Sequence, residues 1–182
     1  MRNALFISLC LLWLPVQAVE YSILVPQQSS VTFVSTQMGV PVEGIFKTFS
    51  TAIAIDPDHP EQGTARIEVE LASVDTGSQE ADEEVVKPIW FDAAAHPVAS
   101  FVSTTVKPLG QGRYAALGKL TIKGKTLVTQ ATFSIEKKAG LLTLPGSFTL
   151  KRLDYAIGSG IWSDTSAVAD EVEVHFRISL TR

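Results

Sequence analysis

The sequence predicts an all-β domain of about eight mostly antiparallel strands with one short helix near residues 78–87. Three observations carry this. Apolar and polar residues alternate with period two over most of the chain after residue 20, as in strands with one buried face. The connections are short and rich in glycine, proline and aspartate. Only one charged stretch lacks turn residues altogether.

Taken in order, segments 30–38 and 42–56 alternate, and Gly39-Val40-Pro41 separates them. Asp56-Pro57-Asp58-His59-Pro60 makes the next turn. Beyond it Ile67, Val69 and Leu71 alternate with Arg66, Glu68 and Glu70. Segments 98–107 and 113–123 follow the same rule. Lys123-Gly124-Lys125 and Lys137-Lys138-Ala139-Gly140 are short enough for hairpins, with glycine supplying positive φ. Between them Leu127, Thr129, Ala131, Phe133 and Ile135 share one face. After segment 141–153, the last strand sets Val172, Val174, Phe176, Ile178 and Leu180 against Glu171, Glu173, His175, Arg177 and Ser179. The helix is expected from Ser78, its N-cap, to Lys87, with Pro88 ending it. Ile89, Trp90 and Phe91 then form an apolar plug at one end of the sheet.

The first eighteen residues read as a signal peptide: Arg2, an apolar run from Ala4 to Leu14, then Pro15 and small residues up to Ala18. Cleavage is expected after Ala18, leaving one domain over residues 19–182 in the periplasm or outside the cell. The run is too short to span a bilayer, which takes about 20 residues. The only cysteine, Cys10, leaves with the leader, so core burial alone must stabilise the domain and thiolate metal sites are excluded. The formal charge of −4, without a basic run, speaks against nucleic acid and anionic lipid surfaces as partners.

Eight such strands can stack as a sandwich or close as a barrel, and a closed barrel has room for a ligand. One inward face reads Tyr114, Ala116, Gly118, Leu120, Ile122, and Ala131 and Gly146 fall on later inward faces. Small inward residues leave a void, which costs about 24 cal/mol per Å3 when empty. Alternatively they relieve strand bending or sit beneath Phe33, Phe101, Phe133 or Phe148. Patterning leaves both readings open.

Seven segments in order carry a family resemblance. They are Ser29-Ser30-Val31-Thr32-Phe33, Val42-Glu43-Gly44-Ile45-Phe46, Ala72-Ser73-Val74-Asp75-Thr76-Gly77 and Trp90-Phe91-Asp92. His96-Pro97-Val98-Ala99-Ser100-Phe101 and Gly118-Lys119-Leu120-Thr121-Ile122-Lys123-Gly124 follow, then Arg152-Leu153-Asp154-Tyr155-Ala156-Ile157-Gly158 with Trp162-Ser163-Asp164. Together they resemble the YceI-like, or lipid/polyisoprenoid-binding, family along essentially all of residues 19–182. The resemblance implies a lipocalin-like closed antiparallel barrel whose lumen holds a long isoprenoid, an isoprenoid quinone or a fatty-acyl compound. Relatives beside or fused to membrane b-type cytochromes make such a cytochrome a candidate partner. Many members have Arg-Asp-x-His-Leu-Arg in the helix; here Ala81-Asp82-Glu83-Glu84-Val85-Val86 keeps only the aspartate. A neutral head group fits that change better than a diphosphate.

The candidate lipid-binding residues are Phe33, Phe46, Phe101, Gly118, Phe133 and Phe148 along the lumen and Trp90 and Phe91 at one end. Trp162, in the loop after Gly158 and Gly160, is expected over the opposite mouth. Arg152 and Asp154, two apart on one face, are expected to form a structural ion pair. The histidines His59, His96 and His175 lack ligand spacing, and no Gly-x-Ser-x-Gly elbow occurs, so neither metal, cofactor nor catalytic residues are expected. The leading expectation is a carrier of a long amphiphile. The alternative is a stress or interaction protein in which the lipid is structural. Monomer and dimer both remain open.

Overall fold

The computed structural model describes residues 20–182; the expected leader 1–18, its cleavage point and Cys10 lie outside the described residues. The alternating segments form one antiparallel sheet. Its early strands are β1 (Ile23–Leu24), β2 (Ser30–Gln37), β3 (Val40–Phe46), β4 (Phe49–Ala54), β5 (Thr64–Glu70) and β6 (Val74–Asp75). After helix α1 (Gln79–Val85) come β7 (Val98–Gly110), β8 (Arg113–Ile122), β9 (Lys125–Ser134), β10 (Glu136–Lys138), β11 (Leu141–Lys151) and β12 (Glu171–Thr181). The strand order is β4-β5-β7-β8-β9-β11-β12-β2-β3-β6, with β1 on β12 and β10 on β11.

Among the described residues twelve strands stand where about eight were expected, because three are pieces of two or three residues and segment 42–56 is broken into β3 and β4 at Lys47-Thr48. The break decides how the sheet curls. β3 pairs with β2 on one side, whereas β4, the same chain two residues later, pairs with β5 at the far end of the sheet. The sheet is thus a curled, barrel-like shell. Its two ends, β4 and β6, form no ladder with each other, so the expected full strand closure is not what the pairing shows.

Two segments span the seam. At one end of the barrel-like shell, Tyr21 and Ile55 exchange backbone hydrogen bonds (2.9 and 3.2 Å), and Ile23 and Leu24 pair with Thr181 and Leu180. At the other, the Lys47 N–H donates to the Ser73 carbonyl and the Glu70 N–H to the Thr48 carbonyl, both at 3.0 Å. Register shifts in β7 between Ser103 and Thr105 and between Pro108 and Gly110 mark irregularities where a strand can bend.

Helix α1 is shorter than the expected 78–87 at its C-terminus but begins as predicted. The Ser78 hydroxyl accepts from the Ala81 N–H (3.4 Å), filling one of the donors the first turn leaves free. Asp82 Oδ1 accepts from both the N–H and the hydroxyl of Thr76 (2.7 Å each), which ties the helix to the strand before it. Pro88 lies two residues past the C-cap Val86, and a compact turn carries Trp90 and Phe91 inward.

Two apolar clusters close the ends of the shell. One gathers Tyr21, Ile55, Leu142, Ile178 and Leu180; the other Leu71, Trp90, Ile122, Tyr155 and Ile157. Tyr21 is 0% exposed and its hydroxyl accepts from Arg182 at 3.3 Å. Replacing Tyr21 with Ala should lower the unfolding free energy by about 3–5 kcal/mol, the range for truncating a large core aromatic. A urea titration with an unshifted midpoint would show that this segment does not seal the shell.

Candidate functional site

Between the two clusters the shell encloses a cavity of about 560 Å3. Its wall is drawn from β2, β3, β4, β5, β7, β8, β9, β11 and β12 and from one side of α1. Phe33, Phe46, Trp90, Phe91, Phe101, Phe133, Phe148 and Trp162 all line it. Inward aliphatic residues, among them Ile67, Val69, Val172 and Val174, line it as well. The alternation puts these four on buried faces, but the candidates named from the sequence were eight aromatic residues and Gly118.

Gly118 is the exception. It faces inward but is not part of the cavity wall: a Cβ built there would lie 2.5 Å from both the Phe101 ring and the Val102 carbonyl. Two other inward glycines are arranged alike. The Phe33 ring lies over Gly44, its direct cross-strand neighbour, and the Phe176 ring over Gly146, also its direct neighbour. An aromatic side chain can lie flat along a sheet only where the position beneath it has no side chain of its own. The glycines therefore let phenylalanine rings follow the wall. Phe46 links the Phe33 ring to the helix end, its own ring tilted by 44° against Phe33 at 5.4 Å and by 59° against Phe91 at 6.1 Å between centroids.

Arg152 governs one end. It is only 2% exposed, and its donors are all taken by main-chain carbonyls. Nε donates to Ala169 (2.9 Å), one terminal nitrogen to Ile157 (2.9 Å) and Gly158 (3.0 Å), the other to Trp162 (2.7 Å) and Val168 (2.6 Å). The expected Arg152–Asp154 pair does not form. The chain leaves β11 at Arg152 and turns, so the period-two rule no longer puts the two on one face, and Asp154 is exposed. Burial pulls the guanidinium pKa below its ordinary value, and the nearby Asp170 carboxylate opposes this.

That carbonyl cage also moves Trp162. It was expected at the opposite mouth from Trp90, yet the two rings are neighbours, 5.4 Å apart. By gathering the carbonyls of 157–169, Arg152 folds the loop back over the turn that carries Trp90, where the Gly158 N–H donates to the Ile89 carbonyl at 2.9 Å. Lys123 holds the same end, donating to the Pro88 (2.6 Å) and Ala156 (2.9 Å) carbonyls, and burial lowers its pKa. The Trp90 indole nitrogen is buried without a hydrogen-bond partner.

Three cavity-lining residues are solvent-exposed: Gln37, Ser78 and Thr64. Thr64 begins β5, at the Tyr21 end. Gln37 and Ser78 flank an opening between the β2–β3 hairpin and α1, where half-buried Ser35, Val42, Ala81 and Glu84 also line the cavity. Glu84 pairs with Lys87 at 2.6 Å. Glu84 and Arg152 are the only ionisable side chains among the lining residues. His59 and His175 sit near exposed Glu61 and Glu173, and His96 packs on Gly124; none of the three lines the cavity.

The YceI-like domain family model matches residues 23–180. The chain belongs to the YceI-like family. A UPF0312 protein of Pseudomonas savastanoi pv. phaseolicola is 33% identical over 150 residues, covering 76% of this chain and 77% of that protein. Burkholderia cenocepacia BcnA superposes with a TM-score of 0.84 at 39% identity, over 87% of this YceI-like chain and 99% of BcnA. A polyisoprenoid binding domain from Saccharophagus degradans shares the fold at 18% identity, with a TM-score of 0.68 over 91% and 99% of the two chains.

Replacing Arg152 with Met should cost about 3 kcal/mol or more, because buried carbonyls lose charged donors. Arg152→Lys should recover only part of this, since an ammonium has three donors and no planar fork. Chemical denaturation of the two variants checks the expectation; equal stability of Lys and Arg at this position would refute the cage.

Proposed function

We propose that this protein is an exported carrier that holds one long-chain, neutral-headed isoprenoid or similar amphiphile in its lumen and performs no chemistry on it. The observation that carries the reading is the apolar cavity of about 560 Å3, walled by aromatic and aliphatic side chains. Without an occupant such a space would forfeit packing on the order of 10 kcal/mol at about 24 cal/mol per Å3. That is as large as the whole net stability of an ordinary domain. An occupant restores those contacts, and each CH2 it buries is worth about 0.8 kcal/mol. Family membership and the shared fold of a polyisoprenoid binding domain support the ligand class.

The head group follows from the ionisable residues. Arg152 has no donor left for an anion, and at the opening Glu84 already engages Lys87. A neutral oxygen acceptor, as in a quinone, an alcohol or an amide, needs no cation from the wall. An isoprenoid quinone is accordingly the first ligand to test, and a membrane b-type cytochrome the first protein partner. With Arg152 engaged, the lumen offers no second group to work with Glu84 as an acid/base pair, which favours holding over turnover.

A second reading, an interaction protein with a structural lipid, draws on the outer face. There exposed Val102 and Val128 flank Lys119 across β7, β8 and β9, with Leu117 nearby. Self-association in sedimentation experiments that disappears on replacing Val128 with Lys would favour it.

Native mass spectrometry of protein purified from its own host should show one long amphiphile per chain, recoverable by solvent extraction. Val174→Trp, which enlarges a half-buried cavity-lining residue, should reduce uptake of a prenyl quinone at least tenfold while unfolding stays cooperative. Undiminished uptake by that variant would place the ligand somewhere other than this lumen.

A further inference from the structure

We infer that the opening beside α1 docks on the surface of an electrically neutral lipid bilayer through Met38, Val40 and Ile161, so that the lumen loads directly from the membrane. This rests on the carrier reading above. The three side chains are 83%, 61% and 81% exposed, large apolar groups left in water. All three flank residues of the cavity wall. Met38 follows Gln37, Ile161 precedes Trp162, and Val40 is the direct cross-strand partner of Gln37. Val40 also continues the inward row of Val42, Gly44 and Phe46, so the apolar wall of the lumen runs out past its mouth.

The loops that carry them are joined. The Met38 N–H donates to the Ala167 carbonyl and the Ala169 N–H to the Thr36 carbonyl, both at 2.9 Å, and Gln37 bridges to Val168. The rim is thus one supported surface and not two separate loop tips.

Backbone conformation adds an independent argument. Met38 and Gly39 have φ of 48° and 79°, a hairpin turn in the left-handed region that favours Asn or Gly at both positions. Among the described residues three other turns place a left-handed residue before a glycine in this way, and there it is Gln111, Lys123 or Ala139. Only here is it a large apolar side chain, strained in its backbone and without a packing partner to offset the cost. A bilayer supplies that partner.

Charge selects the kind of bilayer. Glu84 lines this opening and pairs with Lys87, while Glu80 and Glu83 of the same helix are exposed, so the segment 79–87 is net negative. Anionic head groups would be repelled there, whereas a zwitterionic surface would not.

The test uses the full domain and the variant Met38→Asn/Val40→Ser/Ile161→Ser, in which Asn tolerates the left-handed turn. Wild-type protein should float with phosphatidylcholine vesicles and extract a long-chain prenyl quinone from them, and admixed phosphatidylglycerol should weaken both. The variant should extract at least tenfold more slowly and lose flotation, while taking up the same quinone from dilute ethanol as wild type does. Equal extraction and flotation by the two proteins, or stronger binding to phosphatidylglycerol, would overturn the docking surface. Failure of both proteins to take up quinone from ethanol would instead overturn the carrier reading, and flotation alone would then decide docking.

Discussion

A curled sheet with one apolar face normally fills its own interior, because large inward side chains meet at the axis. Here several of the largest do not point to the axis. Phe33, Phe101 and Phe176 lie along the wall over Gly44, Gly118 and Gly146, and each ring occupies the space where the glycine has no Cβ. The central space depends on this arrangement. Adding a methyl to one of these glycines would lift a ring off the sheet into the lumen, so their size is set by the bore and not by chain flexibility. An interior walled this way offers contact along its whole length and few directional bonds. It discriminates by length and width before it discriminates by functional group.

Polar specificity, where it exists, is confined to the end that Arg152 organises. A single buried guanidinium holds five carbonyls from a loop that has no strand or helix partner of its own for most of its length. Most buried arginines answer a carboxylate; this one answers the backbone, and so costs the lumen no negative charge. The cation is a structural rivet. The departure of the helix from the basic pattern of relatives is consistent with the same choice, since neither α1 nor Arg152 offers a positive group to a ligand.

Period two made the strands legible, and with them the inward set, because a one-residue slip would expose every apolar side chain at once. The helix start was legible from Ser78 for an equally local reason. What failed involved relations between distant segments. Nothing near residues 46–49 announces that β3 and β4 take partners at opposite ends of the sheet, since that depends on where β2 and β5 arrive. Trp162 was misplaced for the same reason: its position is set by Arg152, ten residues earlier, through a carbonyl that the sequence does not mark. Gly118, named from the sequence as a lumen residue, is instead a seat for the Phe101 ring, the alternative that patterning left open, because small residues in an inward row are equally the signature of a gap and of such a seat.

The pairing of β1 with β12 joins Ile23 to Thr181, nearly the full length of the chain apart. A nascent polypeptide can zip up its central hairpins as they emerge, but the patch that receives Tyr21 and Leu24 is completed only once β12 has been made. Maturation is therefore all-or-nothing in time as well as in energy. Until β12 emerges, the beginning of the domain has no berth, and the greasy interior stands ajar to water and to whatever chaperone attends it.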